Sequence, residues 1–258
     1  MTFDTLSKMF LGTLLILILP HQSKGCSDDN ELIFAKDYRK SQPPAQPNKT
    51  LVEVTWWFEN FDDVDDSRKK FTFTAWINLQ WQDNRIKMKP GIEWVQKPMT
   101  YLTCIWAPNI YFSGMVSLTH VDDLLDRKYI SMKNVGNDSI KIRVGLRLQI
   151  KINCPEFHFH WFPLDTQFCS VILIGIDRAT TLKGQIMYSY FNDIQHAPLE
   201  YDVSNRTLVE KDVEIFSTKR GVELSYFGTR LSFDRRLPPY LGYLIFSEII
   251  VLISWLSY

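Results

Sequence analysis

The segment IKIRVGLRLQIKINC, residues 140–154, alternates strictly between apolar and polar side chains. Every even position is apolar, which is the period of a β-strand with one buried face. The opposite face carries a row of mostly basic side chains: Lys141, Arg143, Arg147, Gln149 and Lys151. This row has two interpretations, either a solvated outer face or a surface that attracts an anionic ligand group.

A second strand is predicted at FTFTAWINLQW, residues 71–81, which alternates in the same way. Trp76 falls on its polar face among hydroxyl and amide side chains, as expected of either a stray exposed aromatic or a wall facing a ligand or partner. Alternation continues around residues 51–58 and 222–233. Many short strands separated by turns predict an all-β, immunoglobulin-like antiparallel β-sandwich.

The charge balance of the chain argues against a nucleic-acid binder. Its 258 residues include 29 basic and 29 acidic side chains, whereas a nucleic-acid binder carries a basic surplus or stripe. We find no nucleophile motif, phosphate-binding glycine loop or convincing acid pair, so an enzyme is not expected. No cofactor is expected either.

The two ends of the chain differ in composition from the middle. Residues 1–25 contain the apolar run MFLGTLLILIL after Lys8, and small residues precede Cys26, which predicts a cleaved secretory signal peptide. Residues 240–258 are apolar apart from Glu248 and a few hydroxyls, and about 19 residues nearly cross a membrane as a helix. We therefore expect a transmembrane helix at 240–258 and an extracellular domain at 26–239.

Secretion would place the cysteines and glycosylation sequons in an oxidising compartment. The acceptor asparagines are Asn48, Asn137 and Asn205, each followed at the second position by threonine or serine. Cys26 and Cys104 are compatible with pairing to each other, with intermolecular pairing or with a free buried thiol. The spacing of Cys154 and Cys169 by itself indicates only a structural disulfide that closes a short loop.

Between those last two cysteines stands the sequence Phe162-Pro163-Leu164-Asp165. With this FPxD core the segment resembles the signature loop of the Cys-loop, or pentameric neurotransmitter-gated, ion channels. WQDNR at 81–85 and IWAPN at 105–109 resemble two further motifs of that family. The stretch RLSFDRRLPPYLGYL resembles the last strand, pre-membrane linker and first membrane helix of the glycine and GABA receptor branch.

The resemblance implies a ligand-binding β-sandwich that assembles as a homo- or hetero-pentamer. A small neurotransmitter-like ligand would bind between subunits, and the Cys-loop would pass the signal to the membrane helices. The resemblance also implies location in the plasma membrane, with synaptic membranes as one expected site. We expect an anion-type channel subunit; the alternative is a pore-less ligand-binding or dominant-negative accessory protein of the same family.

The family's ligand-binding positions are only partly matched. Tyr111 corresponds to an aromatic of the principal face, and Trp76 corresponds to an aromatic of the complementary face. Arg147 matches a basic position of the glycine receptor, whereas Asn78 stands where that receptor has an arginine. Ile176 replaces an aromatic residue. The loop before the last strand offers the aromatic candidates Phe216, Tyr226 and Phe227.

That pattern predicts an incomplete amine-binding site on the principal face, because aromatic rings hold an ammonium by cation–π attraction. By the same resemblance, signal coupling is expected to use Phe162, Pro163 and Asp165 of the Cys-loop. Arg235 and Arg236 would contribute at the membrane junction.

Three further side chains alternate within the Cys-loop and would share one face of an extended segment: Glu156, His158 and His160. Such a face is compatible with zinc binding or with titration near neutral pH. Packing within a coupling loop near lipid headgroups explains the same residues without a metal. We therefore predict no metal site, and these three residues are the candidates if one exists.

Overall fold

The computed structural model describes residues 29–44, 49–121, 129–136, 139–158, 162, 164–176, 180–188, 201–217, 220–236 and 238–256. Within them lie the strands β1 (Leu32–Phe34), β2 (Thr50–Asp65), β3 (Lys70–Asp83), β4 (Ile86–Met88), β5 (Trp94–Pro98), β6 (Ile110–Phe112), β7 (Met115–His120), β8 (Tyr129–Asn134), β9 (Ile140–Asn153), β10 (Thr166–Gly175), β11 (Thr180–Tyr188), β12 (Tyr201–Ser217) and β13 (Arg220–Arg235). A 3₁₀ turn covers Met99–Thr103, and helix α1 covers Pro238–Leu256.

The strands form two main sheets and one small ribbon. One sheet has seven strands in the order β11-β2-β3-β9-β8-β5, with β7 paired to β9. The other has the order β12-β13-β10-β6, and β1 pairs with β4. The expected all-β architecture is therefore present.

Strand alternation decides which side chains enter the core. The even-numbered residues of β9 from Ile140 to Ile152 are buried, apart from the half-buried Leu146. In β3 the odd-numbered residues from Phe71 to Trp81 are buried likewise. These two predicted faces are confirmed.

Aromatic side chains fill the space between the two sheets. Phe71 of β3 lies edge-on to Phe233 of β13, with ring centroids 4.9 Å apart. Trp56 of β2 lies edge-on to Phe112 of β6 at 5.3 Å. Edge-to-face pairs at these distances add to the burial of the rings themselves. The aromatic contacts hold the two sheets together as a sandwich.

One strand pair departs from the expected antiparallel arrangement, because β11 runs parallel to β2. Strand β10 belongs to the four-stranded sheet and ends at Gly175, and β11 begins in the seven-stranded sheet at Thr180. The chain therefore changes sheets between these strands. Parallel neighbours need a crossover, and the strands between β2 and β11 provide it.

The WQDNR motif ties the N-terminal segment to the sandwich. Asp83 is fully buried and accepts hydrogen bonds from Arg85 at 2.9 Å and 2.7 Å. Arg85 also donates to the backbone oxygen of Gln42 at 2.7 Å, and its guanidinium lies 4.7 Å from the centre of the Tyr38 ring. A buried carboxylate is tolerated here because a forked cation pairs with it.

Helix α1 coincides with most of the segment that we expected to cross a membrane. Its side chains from Ile245 to Trp255 are exposed. Over the described part of the chain, no helix is both long enough and apolar enough to cross a membrane.

Several other expectations concern residues that the structure does not describe. The expected signal peptide at 1–25 lies outside the described ranges, as do Cys26, Asn48 and Asn137. The third acceptor, Asn205, has its backbone in an irregularity of the β12–β13 pairing. The signal peptide and the glycosylation sites therefore stay predictions.

Candidate functional site

Trp76 lies in a row of side chains across the outer face of the seven-stranded sheet. It pairs in register with Trp57 of β2 on one side and with Arg147 of β9 on the other. Trp57 is exposed and Trp76 is half-buried. The Arg147 guanidinium lies 5.9 Å from the centre of the Trp76 ring. Two tryptophans thus stand side by side on this face, and a cation of the same chain lies over one of them.

Arg147 is itself paired with Glu59. Its Nε donates to Oε2 at 2.7 Å and its Nη2 donates to Oε1 at 2.6 Å. This is a bidentate, charge-assisted pair. Further along the same face, Nζ of Lys141 on β9 lies 3.0 Å from the carboxylate of Glu53 on β2. Two basic residues of β9 are thus paired with glutamates of β2, which favours the interpretation of the basic row as an outer face over its interpretation as a surface that attracts an anionic ligand.

Asn78 lies next to Trp76 on the same face, opposite Gly145 of β9. A Cβ atom at position 145 would lie 2.8 Å from Oδ1 of Asn78. That distance is too short for a comfortable contact, so the glycine leaves the room that the amide side chain occupies. Trp76, Asn78 and Arg147, which the resemblance assigned to the complementary face, lie together.

The principal-face candidates lie on the other sheet. Ile174 of β10 pairs with Tyr111 of β6 on one side and with Tyr226 of β13 on the other. Burial raises the pKa of Tyr111, and the charge of Tyr226 adds to the effect. Tyr111 and Tyr226 therefore flank the same residue of the middle strand.

The other principal-face candidates lie in three different parts of the fold. Ile176 follows β10 and is exposed, and its backbone N–H donates to the oxygen of Asn109 at 2.9 Å. Phe227 is fully buried and belongs to the core. The backbone of Phe216 pairs with Gly221 at the far end of β12. Ile176, which the resemblance matched to an aromatic position of the family, presents an exposed aliphatic side chain.

Arg235 forms the centre of a cluster of side chains close to the start of α1. Its own side chain is 1% exposed. Nε donates to Oδ1 of Asp165 at 2.7 Å, and Nη2 donates to Oδ2 of Asp66 at 2.5 Å. The guanidinium also lies 4.9 Å from the centre of the Phe162 ring and 4.8 Å from that of Tyr201. We call these five residues the junction cluster.

The junction cluster contains two residues that the sequence analysis did not assign. Asp66 belongs to an acidic run at 62–66, whose charge is compatible with an ordinary solvated turn. Tyr201 belongs to none of the sequence motifs described above. In the structure its hydroxyl donates to Oδ2 of Asp66 at 2.8 Å. Arg235 lies 169 positions from Asp66 in the chain, so only the folded sheets bring these groups together. Pro163 lies outside the described residues.

Arg236 has a different environment from its neighbour. Its guanidinium pairs with Asp202 at 2.8 Å and 2.5 Å, and the side chains of the two residues are 23% and 64% exposed. Exposed ion pairs contribute little to stability because water screens them. The two arginines assigned to coupling therefore differ, one buried in the junction cluster and one near the surface.

The junction cluster predicts a pH dependence of stability. Burial alone would raise the pKa of Asp165, but hydrogen bonds from Arg235 and Gln167 and the charge of Arg235 lower it below its ordinary value. Such a group stabilises the folded state above its unfolded pKa of about 4, and the contribution is lost as the pH falls through the folded pKa. We expect the free energy of unfolding to fall below about pH 4, and to fall less in Asp165→Asn.

Urea titrations of both proteins between about pH 6 and about pH 2 measure this difference. Other carboxylates, including Asp29, Glu53 and Asp65, also have lowered pKa values. The informative quantity is therefore the difference between the two profiles. Parallel profiles would contradict the assignment to Asp165.

Glu156 and His158, two of the three candidate zinc ligands, form hydrogen bonds and an ion pair within the chain. The carboxylate of Glu156 accepts a hydrogen bond from Ser170 at 2.8 Å and lies 2.7 Å from Nη2 of Arg230. Nδ1 of His158 makes a hydrogen bond with the backbone oxygen of Glu156 at 2.6 Å. Within the described ranges, no three His, Cys, Asp or Glu side chains are grouped to hold a metal ion. His160 lies outside those ranges.

A disulfide joins Cys154 to Cys169, and both cysteines are fully buried. Cys154 directly follows β9 of the seven-stranded sheet, and Cys169 lies within β10 of the four-stranded sheet. The bond therefore links the two sheets covalently. Cys104 is also disulfide-bonded, which excludes the free thiol considered for it.

Comparison with known protein families identifies the class to which this sandwich belongs. Residues 31–180 match the neurotransmitter-gated ion-channel ligand binding domain. The chain therefore belongs to this Cys-loop ligand-gated channel family, in the branch similar to GABA and glycine receptors. Its members are channels rather than enzymes, which confirms the expectation that the chain is not an enzyme.

Individual relatives place the similarity among the GABA receptor subunits. The chain is 26% identical to the beta subunit of the Caenorhabditis elegans gamma-aminobutyric acid receptor over 238 residues, covering 89% of this chain and 41% of the relative. It is 30% identical to the human rho-3 subunit over 151 residues, covering 57% and 29%. The Drosophila melanogaster beta-like subunit is 22% identical over 218 residues, covering 77% and 41%. The chain spans at most about two fifths of the length of these relatives.

Proposed function

We propose that this chain is a subunit of a ligand-gated ion channel of the anion-conducting branch. Residues 26–239 would form an extracellular domain at the plasma membrane and bind a small neurotransmitter-like ligand between neighbouring subunits. Ligand binding would be coupled through the Cys-loop to the segment that begins at α1. The relatives named as GABA receptor subunits support the branch.

The observation that carries the proposal is the junction cluster. One buried guanidinium contacts Asp66 after β2, Asp165 before β10, and the rings of Phe162 and Tyr201. Arg235 is the last residue of β13, and α1 begins three positions later. A displacement of either sheet at this end would therefore act on the chain directly before α1. Such an arrangement fits signal transfer better than passive ligand storage.

The ligand-facing part of the proposal rests on the outer face of the seven-stranded sheet. Trp57, Trp76 and Asn78 lie there with polar and aromatic atoms side by side. Small-molecule sites commonly combine apolar contact area with a few polar groups that orient the ligand. Because the principal-face candidates Tyr111 and Tyr226 lie on the other sheet, a neighbouring subunit would complete the pocket.

Co-expression with a relative tests the proposal. We would express the tagged full chain in cells together with the human rho-3 subunit, purify surface complexes through the tag, and record currents evoked by gamma-aminobutyric acid. We expect the two chains to purify together as a ring and the concentration–response curve to change. Asp165→Asn should preserve co-purification, because Arg235 keeps its pair with Asp66, but abolish the change in current, because the pair between the Cys-loop and the last strand is lost.

Two results would contradict the proposal. One is a folded chain at the cell surface that purifies neither with rho-3, nor with a beta subunit, nor with copies of itself. The other is an identical effect on current by the wild-type chain and Asp165→Asn. A loss of current that does not depend on Asp165 would instead favour the pore-less accessory protein.

A further inference from the structure

The ion pair between Glu59 and Arg147 passes over a whole strand of the outer face. Glu59 belongs to β2 and Arg147 to β9, and β3 lies between them. Neighbouring strands are about 4.8 Å apart, so the two side chains together cross roughly 10 Å of sheet surface. The pair lies beside Trp76, whose ring centre is 5.9 Å from the Arg147 guanidinium.

A backbone irregularity explains how Glu59 reaches this position. The register between β2 and β3 shifts between Phe58 and Asn60, which leaves Glu59 without a partner residue on β3. Such a bulge bends the strand and redirects a side chain. The consequence here is that a carboxylate of the same chain lies close to the aromatic row.

The geometry of the pair is the one that Arg147 would offer to a carboxylate ligand. Two guanidinium nitrogens donate to the two carboxylate oxygens at 2.7 Å and 2.6 Å. This fork-to-fork arrangement is the usual mode by which arginine holds a carboxylate. A ligand carboxylate would have to displace Glu59 and would then lie close to its negative charge. Binding of the ligand would therefore replace the Glu59–Arg147 pair by a ligand–Arg147 pair of the same kind. It would also add repulsion between the ligand carboxylate and the displaced Glu59.

We infer that Glu59 is a specificity-determining residue: it occupies the guanidinium of Arg147 and so prevents Arg147 from binding the carboxylate of a ligand on this face. The inference rests on the proposed function in one respect, namely that this face contacts a small ligand. Trp57, Trp76 and Asn78 then contact uncharged parts of the ligand. The basic row therefore does not by itself select an anionic ligand, because its arginine beside the tryptophan already has a carboxylate.

The test is a ligand-detected NMR titration of the purified full chain with butyrate, using uncharged butyramide as the matched probe. We expect Glu59→Gln to bind butyrate at least about tenfold more tightly than the wild type, because one charge-assisted pair becomes available to the probe. The double variant Glu59→Gln/Arg147→Gln should lose this gain. Butyramide affinity should stay within about twofold in all variants.

Glu53→Gln is the matched control. Glu53 also lies on β2 and pairs with a basic residue of β9, Lys141, at 3.0 Å. It lies further from Trp76, so its removal should leave butyrate affinity within about twofold of the wild type. The side chains of Glu59 and Arg147 are 34% and 27% exposed, so Glu59→Gln should fold. Glu59→Ala provides a second variant, and the urea midpoint of each protein shows that it is folded.

Several results overturn the inference. The first two are equal butyrate affinities for the wild type and folded Glu59→Gln, and no butyrate binding to either protein. The other two are a gain in butyrate affinity that persists in Glu59→Gln/Arg147→Gln, and an equal gain in Glu53→Gln. The titration needs neither a partner subunit nor a current. Its failure is therefore distinguishable from a failure to assemble with rho-3 or to alter gating.

Discussion

Replacing Arg235 with glutamine is expected to lower the free energy of unfolding by about 3–5 kcal/mol, because it leaves the buried carboxylate of Asp165 without its cation. The Arg235 side chain is 1% exposed and that of Asp165 is 4% exposed. Asp66 would lose the same partner. Urea unfolding of the purified chain, followed by tryptophan fluorescence, measures the change.

Arg236→Gln is the matched control for that experiment. It removes the same charge one residue later, from a pair with Asp202 in which the carboxylate is 64% exposed. An exposed pair contributes about 0–1 kcal/mol, so this variant should stay close to the wild type. An equal loss of unfolding free energy in Arg235→Gln and Arg236→Gln would show that the junction cluster does not stabilise this end of the sandwich. The unfolding free energy of Arg235→Lys should lie between those of the two glutamine variants, since lysine keeps the charge but cannot donate through two nitrogens at once as a guanidinium does.

Removing the Cys154–Cys169 disulfide is expected to cost about 3 kcal/mol in Cys154→Ala/Cys169→Ala, the value for a closed loop of about 15 residues. The sequence separation of the two cysteines is 15. Without the bond the unfolded chain gains conformations, and the link between the two sheets is lost as well. The midpoint of urea unfolding under non-reducing conditions provides the measurement.

A reducing agent supplies the control for the disulfide. Reduction should lower the free energy of unfolding of the wild type by more than that of the double variant, because the variant retains only the disulfide of Cys104. The difference should equal the loss that the two cysteine substitutions cause under non-reducing conditions. A loss below about 1 kcal/mol in the double variant would contradict the expected contribution of the closed loop.

The strands were predicted best where burial and local periodicity coincide. In β3 and β9 every second residue enters the core, and this period can be seen without knowing the partner strand. The parallel pairing of β11 with β2 could not be predicted in the same way. It depends on where the chain crosses between sheets, and no local pattern specifies that.

The candidate sites were predictable to the extent that motifs marked them. The FPxD core pointed to Asp165 and Phe162, and the alternation of β3 drew attention to Trp76 on its polar face. The partners of these residues had no such signal. Glu59 lies 88 positions from Arg147, and Tyr201 lies 135 positions from Asp66. Only the register of the folded sheets brings such pairs together.

The position of Arg235 directly before α1 also has a mechanical consequence. A rigid helix of 19 residues is about 28 Å long. If its first turn tilts by about 10°, its far end moves by roughly 5 Å for a helix of that length. The junction cluster lies at the start of this helix, so a small rotation there would give a displacement at the far end that exceeds the length of a side-chain contact.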